Sequence, residues 1–185
     1  MTDVTHRLGS FCTSMLYTRD VARSRTFYER WMPGWALEPA SHDPRHVTIL
    51  AGGQPVAHAR LVADGAHEWV PMVRVADLDA SLHAATGLGG TLVDTENVPG
   101  VARIARVRDL EGAVFGMWQP AGDQGAAVTD VVGSLWWLEL LSLDPENAMQ
   151  FYERLFGWQA RTTAFTPFDT YIVFERDGHQ EGGLL

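Results

Sequence analysis

The chain contains no lysine; all fourteen basic side chains in its 185 residues are arginines. That absence excludes a P-loop lysine and any lysine Schiff-base chemistry. Cys12 is the lone cysteine, so neither an intramolecular disulfide nor a cysteine-rich metal site can form. No apolar run approaches the roughly 20 residues that a membrane helix needs. The opening "MTDVTHRLGS" lacks the apolar stretch of a signal peptide. No membrane contact is therefore expected, and the default location is cytoplasmic. A net charge of −9 argues against nucleic acid and against an anionic membrane surface, both of which call for a basic patch. HExxH, GxSxG, CxxC and GxGxxG are all missing.

What is present is a repetition. "TFYERWMPGW" at 26–35 is echoed by "QFYERLFGW" at 150–158. Aligned on these, Ser10 meets Ser134, Asp20 meets Asp144, and Phe27-Tyr28-Glu29-Arg30 meets Phe151-Tyr152-Glu153-Arg154 without a gap. One residue is then lost before Trp35 meets Trp158. A match of this length is one supersecondary unit used twice.

Each copy reads as strand, helix, then strands. "FCTSMLYT" and "LWWLELLS" are short apolar or β-branched runs, which predict strands. Asp20 and Asp144 follow as helix N-caps, and Pro145 takes the first helical position. Residues 148, 151, 152, 155 and 156 form one apolar helix face, with 24, 27, 28 and 31 a less clean counterpart. Phe27, Tyr28, Phe151 and Tyr152 are expected in the core, and Glu29, Arg30, Glu153 and Arg154 in solvent. A more diverged copy lies between: "EWVPMVRV", then Asp77 capping "LDASLHAAT", then "GGTLVDT", "GVARIARVRD" and "LEGAVFGMWQP". The chain thus holds three βαβββ units, at about 10–63, 67–119 and 134–185. Residues 1–119 read as a two-module domain, 120–133 as a small and polar linker, and 134–185 as half of a second domain.

These units resemble the βαβββ modules of the vicinal oxygen chelate superfamily, which includes glyoxalase I, extradiol dioxygenases and bleomycin-resistance proteins. The resemblance is carried by "LYTRDVARSRTFYER", "VRVADLDAS", "DLEGAVFGMWQP" and "LLSLDPENAMQFYERLFGW". It is similar above all to actinobacterial tandem glyoxalase-like proteins, some labelled hydroxylase. The resemblance implies an α+β fold of curved mixed sheets, with two modules paired in one cup and the third unpaired. It also implies divalent-metal ligands on the first and last strand of each module. Those positions fall on Thr13, Val70 and Trp137, and on Ala57, Gly116 and Gly182. None is a usual ligand, since a hard cation wants several converging oxygen or nitrogen donors. No metal and no cofactor is expected.

Period-two alternation puts Thr13, Met15 and Tyr17 on one face, with Met72, Arg74 and Trp118. Such a surface suits a small-molecule ligand, and these six are the candidate ligand-binding residues. Glu139, with Leu135, Trp137 and Leu141 on one strand face, and His58 are the candidate catalytic groups, each a possible general base. His42 and His46 flank Pro44 in "SHDPRH" and read as a loop pair. The first reading is a metal-free binder of a small apolar or aromatic molecule. The alternatives are an enzyme (lyase, isomerase, hydroxylase or dioxygenase type) with an atypical site, or an interaction protein with a vestigial pocket. Whether any reaction is catalysed stays open. The apolar, unmated strand of the third module predicts a homodimer through residues 134–185.

Overall fold

Three acidic caps set the rhythm of the chain. In the computed structural model, which describes residues 6–40, 43–65, 67–129, 131–165 and 168–185, the carboxylates of Asp20, Asp77 and Asp144 accept from the backbone N–H of Arg23, Ala80 and Asn147. Each opens a helix. Around them the elements run β1 (Phe11–Thr18), α1 (Val21–Trp31), β2 (Trp35–Ala40), β3 (Asp43–Ala51) and β4 (Gln54–Leu61). The second set is β5 (Glu68–Arg74), α2 (Leu78–Gly87), β6 (Thr91–Val98), β7 (Ala102–Arg108) and β8 (Val114–Pro120). The third is β9 (Glu139–Leu140), α3 (Pro145–Phe156), β10 (Gln159–Phe165), β11 (Phe168–Arg176) and β12 (His179–Leu184). This is the mixed α+β architecture that the resemblance implies.

The first two sets share one sheet in the order β2-β3-β4-β1-β5-β8-β7-β6. Within each set the first and last strands are parallel, Met15 opposite His58 and Met72 opposite Gly116. The sets join through antiparallel β1 and β5, with Thr13 opposite Met72, Ser14 opposite Pro71 and Met15 opposite Val70. The third set forms its own sheet, β10-β11-β12-β9. Here β9 is much shorter than "LWWLELLS" predicts. Among the described residues it pairs only with β12, Glu139 opposite Gly183 and Leu140 opposite Leu184, and a strand with one neighbour has half the ladder to define it.

"SHDPRH" also differs from its reading as a loop: β3 begins at Asp43, and Pro44 sits where the β2–β3 register shifts, a place where a missing N–H is tolerated. His42 lies outside the described residues.

Among the described residues three apolar clusters hold the layers together. One lies under α1: Leu16, Leu37, Val47, Ile49, Ala57 and Ala59. A second fills the opposite face of the large sheet with Met15, Tyr17, Val70, Met72, Ile104 and Trp118. The third joins the two sheets. There Phe151, Tyr152 and Phe156 of α3 pack both on Val73, Val107 and Phe115 of the large sheet and on Ile172, Phe174 and Leu184 of their own. Among the described residues no helix is long and apolar enough to cross a membrane.

Candidate functional site

The face of the large sheet that turns away from α1 and α2 carries most of the candidate residues, and it is filled with side chains. Met15, Met72 and Trp118 have no exposed surface, and Tyr17 and Thr13 have almost none. The Trp118 ring stacks on His58, centroids 5.1 Å apart, and its Nε1 donates to the Asp123 carbonyl at 3.2 Å. Tyr17 lies beneath the Arg106 guanidinium, 3.9 Å from ring centroid to Cζ. Arg74 follows Met72 on the same face, and its buried Nη1 has no hydrogen-bond partner among the described residues.

His58 is completely buried, and His46 Nε2 stands 3.1 Å from its Nδ1. Burial lowers both imidazoles to about 4. Asp123 Oδ2 is 3.8 Å from His58 Nε2, too far for a hydrogen bond, so the pair stays neutral at pH 7. Beside it Arg60 is clamped between Asp43 (2.7 Å) and both carboxylate oxygens of Glu96. Against the cost of desolvation, the Arg60 bond together with the backbone N–H and guanidinium of Arg45 holds the Asp43 carboxyl well below the usual carboxylate range.

The last-strand ligand position of the first module needs correction. Ala57 belongs to the cluster under α1, whereas His58, in register with Met15, faces the cup. The cause is the shift in β3–β4 register between Ile49 and Leu50, a bulge invisible in the sequence. The cup-facing donors are therefore Thr13 and His58, with His46 behind. No three His, Cys, Asp or Glu side chains among the described residues are placed to hold a metal ion. The residues present do not fit the divalent ion of the superfamily's enzymes.

Open space lies elsewhere. A cavity of about 410 Å³ sits where β1, residues 126–129 and residues 135–138 meet β12. Phe11, Leu135, Trp136, Trp137 and Leu138 supply apolar walls, and His6, Thr13, Gln180 and Glu181 the polar points. The 126–129 segment is tied down by Ala126 N–H to the Cys12 carbonyl and Ala127 N–H to the Pro55 carbonyl, both 2.8 Å. His6 Nε2 meets the Ala126 carbonyl at 2.7 Å, and burial lowers its pKa. Glu181 is buried and accepts from Ser10 Oγ at 2.7 Å, with Arg7 Nη2 at 3.6 Å. Desolvation raises its carboxyl above the usual range, opposed by the Ser10 bond and by Arg7.

Of the six candidate ligand-binding residues, then, Thr13 lines this cavity, while Met15, Tyr17, Met72 and Trp118 pack in the interior of the large sheet. The candidate base Glu139 is exposed and accepts from Tyr171 Oη at 2.8 Å, which itself accepts from Trp137 Nε1. His6 and Glu181 were missed by the sequence reading. For Glu181 a signal existed: it lies in "DGHQEGGLL", where a carboxylate follows a tight turn and precedes an apolar strand end.

Comparison with known proteins follows the same lines. The model of a family described as a glyoxalase-like domain matches residues 12–117. The putative glyoxylase CFP32 of Mycobacterium tuberculosis is 26% identical over 180 residues, covering 92% of this chain and 68% of its own. The anthracycline biosynthesis protein DauV of Streptomyces is 34% identical over 90 residues, 48% of this chain and 33% of that protein. Among solved structures, the Mn(II)-bound glyoxalase from Novosphingobium aromaticivorans superposes with a TM-score of 0.64 at 16% identity, over 97% of this chain. The chain spans 62% of that protein's length. Catechol 2,3-dioxygenase gives a TM-score of 0.61 at 15% identity. Identities this low show a common fold alone.

Proposed function

The chain belongs to the glyoxalase-like domain family, and from that premise we propose that it binds a small apolar or aromatic molecule without a metal ion. The carrying observation is the cavity of about 410 Å³ walled by Phe11, Trp136, Trp137 and Leu138. Its size and its few polar points are those of a small-ligand pocket. The absence of a converging donor set supports the metal-free part, since His58 and Thr13 offer too few ligands. Aromatic walls favour a planar ligand, held by offset or edge contacts, while Glu181 and His6 fix its orientation through hydrogen bonds.

Titration with 1-naphthol, read by intrinsic tryptophan fluorescence, tests the reading. Saturable binding is expected, weakened by about 1–3 kcal/mol in Trp137→Ala. Elemental analysis of the purified chain should find no stoichiometric transition metal. Unchanged affinity in that variant, or one chelatable metal per chain whose removal abolishes an activity, defeats it.

One observation favours a second reading, an enzyme. Glu181, with its raised carboxyl, shares the cavity with His6, which burial keeps neutral. A carboxyl and an imidazole moved toward each other's range are suited to proton transfer. Turnover abolished by Glu181→Gln with ligand affinity retained would select this reading over simple binding.

A further inference from the structure

Glu181 is placed by an irregularity in its strand. Between β11 and β12, Arg176 stands opposite His179 and Glu175 opposite Gln180, but Phe174 stands opposite Gly182. One residue of β12 is skipped in that count, and it is Glu181. An extra residue of this kind leaves the ladder and re-aims its side chain. Here the carboxylate turns from its own sheet to the segment before β1. Ser10 Oγ donates to Oε1 at 2.7 Å, and Arg7 Nη2 stands 3.6 Å from the same oxygen.

The two carboxylate oxygens are therefore not equivalent. Oε1 is engaged, whereas Oε2 has no partner among the described residues. Nor is Oε2 sealed in the interior, as the partnerless atoms of Arg25, His46, His58 and Arg74 are. The side chain is only 5% exposed, and the open space that it borders is the cavity of about 410 Å³. Oε2 is the acceptor left for whatever fills that space.

Charge decides what can fill it. Among the described residues no arginine lines the cavity. His6 is kept neutral by burial and already engages the Ala126 carbonyl through Nε2. Burial also pushes the Cys12 thiol up to about 12, so it carries no charge at pH 7. An anion brought there meets a carboxylate and no lining cation, and burying unpaired or like charges is costly. A donor meets an open acceptor, and a hydrogen bond to an ionised group is a strong one. Arg7 already supplies positive charge at Oε1, so Oε2 lacks a proton donor rather than a second cation. Granted the cavity as a small-ligand pocket, we propose that its ligand is a hydroxyl compound, a phenol or an apolar alcohol. Its O–H donates to Glu181 Oε2, and carboxylic acids are excluded. The bulge turns the carboxylate to the cavity, and the Ser10 bond holds it there with one oxygen open.

Three ligands built on one ring test this by isothermal titration calorimetry at pH 7: 1-naphthol, 1-methoxynaphthalene and 1-naphthoate. At that pH the Ser10 bond and the charges of Arg7 and Arg176 keep the carboxyl ionised against desolvation. 1-Naphthol should bind about tenfold or more tighter than its methyl ether, the worth of a hydrogen bond to a charged acceptor. 1-Naphthoate should bind more weakly than either. In Glu181→Gln, Ser10 Oγ still takes the side-chain oxygen, which turns the amide N–H toward the cavity. The order should then invert, with 1-naphthoate bound most tightly. If that variant does not fold, the wild-type order decides by itself. A wild type that holds naphthol and ether alike, or naphthoate as tightly as naphthol, overturns the assignment. It does so even where Trp137→Ala weakens all three and the pocket itself stands. A folded Glu181→Gln variant that keeps the wild-type order overturns it too. Binding of none of the three overturns the pocket, and the hydroxyl ligand with it.

Discussion

The same four residues, Phe-Tyr-Glu-Arg, lie on α1 and on α3, and their aromatic members meet opposite fates. Phe151 and Tyr152 are buried, while Phe27 is 55% exposed and α1 has no buried residue. The expectation that all four aromatics fill the core holds for α3 and fails at Phe27. The sequences barely differ; the surroundings do. Helix α1 has one sheet beneath it, and Tyr28 rests against Trp35 and Trp69 at its edge. Helix α3 has a sheet on both sides, because its module folds back onto the second one. A second layer, not a better amphipathic pattern, turns a half-covered face into core.

Deleting the two phenylalanine rings is the most forceful way to break this comparison. Phe151→Ala should cost about 3–5 kcal/mol of stability, as a buried ring removed from a packed interior does. Phe27→Ala should cost under about 1 kcal/mol, as surface changes do. Urea denaturation of both variants measures the difference. Equal losses would mean that α1 is covered in solution by something the single chain does not provide.

Acid should act on the other face of the large sheet. His46 and His58 are held at about 4 against an ordinary 6.5. The unfolded chain therefore takes up protons below pH 6.5 that the native pair refuses, so stability present above 6.5 drains away as the pH falls toward 4. The loss is on the order of a few kcal/mol for two such groups. His58→Gln, neutral at all pH, should flatten the slope between pH 6.5 and 4. An unchanged slope would show that the imidazoles are not the groups that titrate.

The Gly-Trp that closes each repeat has a role of its own. Trp158 Nε1 donates to the Gly9 carbonyl at 2.6 Å, and Trp35 Nε1 to the Gly133 carbonyl at 3.0 Å. Each tryptophan thus reaches out of its own module, one to the turn before β1, the other to the segment before β9. Trp158→Phe leaves a buried carbonyl without its donor and should cost about 1–3 kcal/mol; Trp35→Phe, at a more open site, about 0.5–1.5 kcal/mol. Thermal unfolding with matched variants checks the ranking, and a larger loss at Trp35 would reverse it.

The sequence revealed the fold because strand runs, capping aspartates and turn glycines are local signals, repeated three times. Layering is not local. Nothing in "QFYERLFGW" says that a second sheet will cover Phe151, and nothing in "TFYERWMPGW" says that Phe27 will stay outside. The candidate site suffered from the same blindness. Alternation put Met15, Met72 and Trp118 together correctly on one face, but it could not tell a lined pocket from a face packed shut. The ligand position that the resemblance implied failed at Ala57, where one bulge exchanges its role with that of His58. Glu181 and His6 come to line one cavity through the packing of β12 and the N-terminal segment, 175 positions apart in numbering, and no spacing rule connects them.

The smallest effect sharpens the comparison most, because here the two helices should agree. Glu29 and Glu153 read as solvated charges, yet each accepts from a backbone N–H of the strand that follows its helix. Glu29 Oε1 takes Leu37 N–H at 3.1 Å, and Glu153 Oε1 takes Ala160 N–H at 2.9 Å. The contact is made inside one module, so the second layer that separates Phe27 from Phe151 does not enter it. It binds helix to strand across the turn that contains Gly34 or Gly157. That gives a reason for the glutamate, as well as the aromatics, to recur in both copies. Glu29→Ala and Glu153→Ala should each cost about 0.5–1.5 kcal/mol, the worth of a charge-assisted bond at a half-open site, and the two losses should match. Glu→Gln at either position should recover most of it, since the amide oxygen still accepts. If Glu153→Ala proved as damaging as Phe151→Ala while Glu29→Ala was silent, the carboxylate too would owe its value to burial by the neighbouring sheet, and the shared local contact would explain nothing.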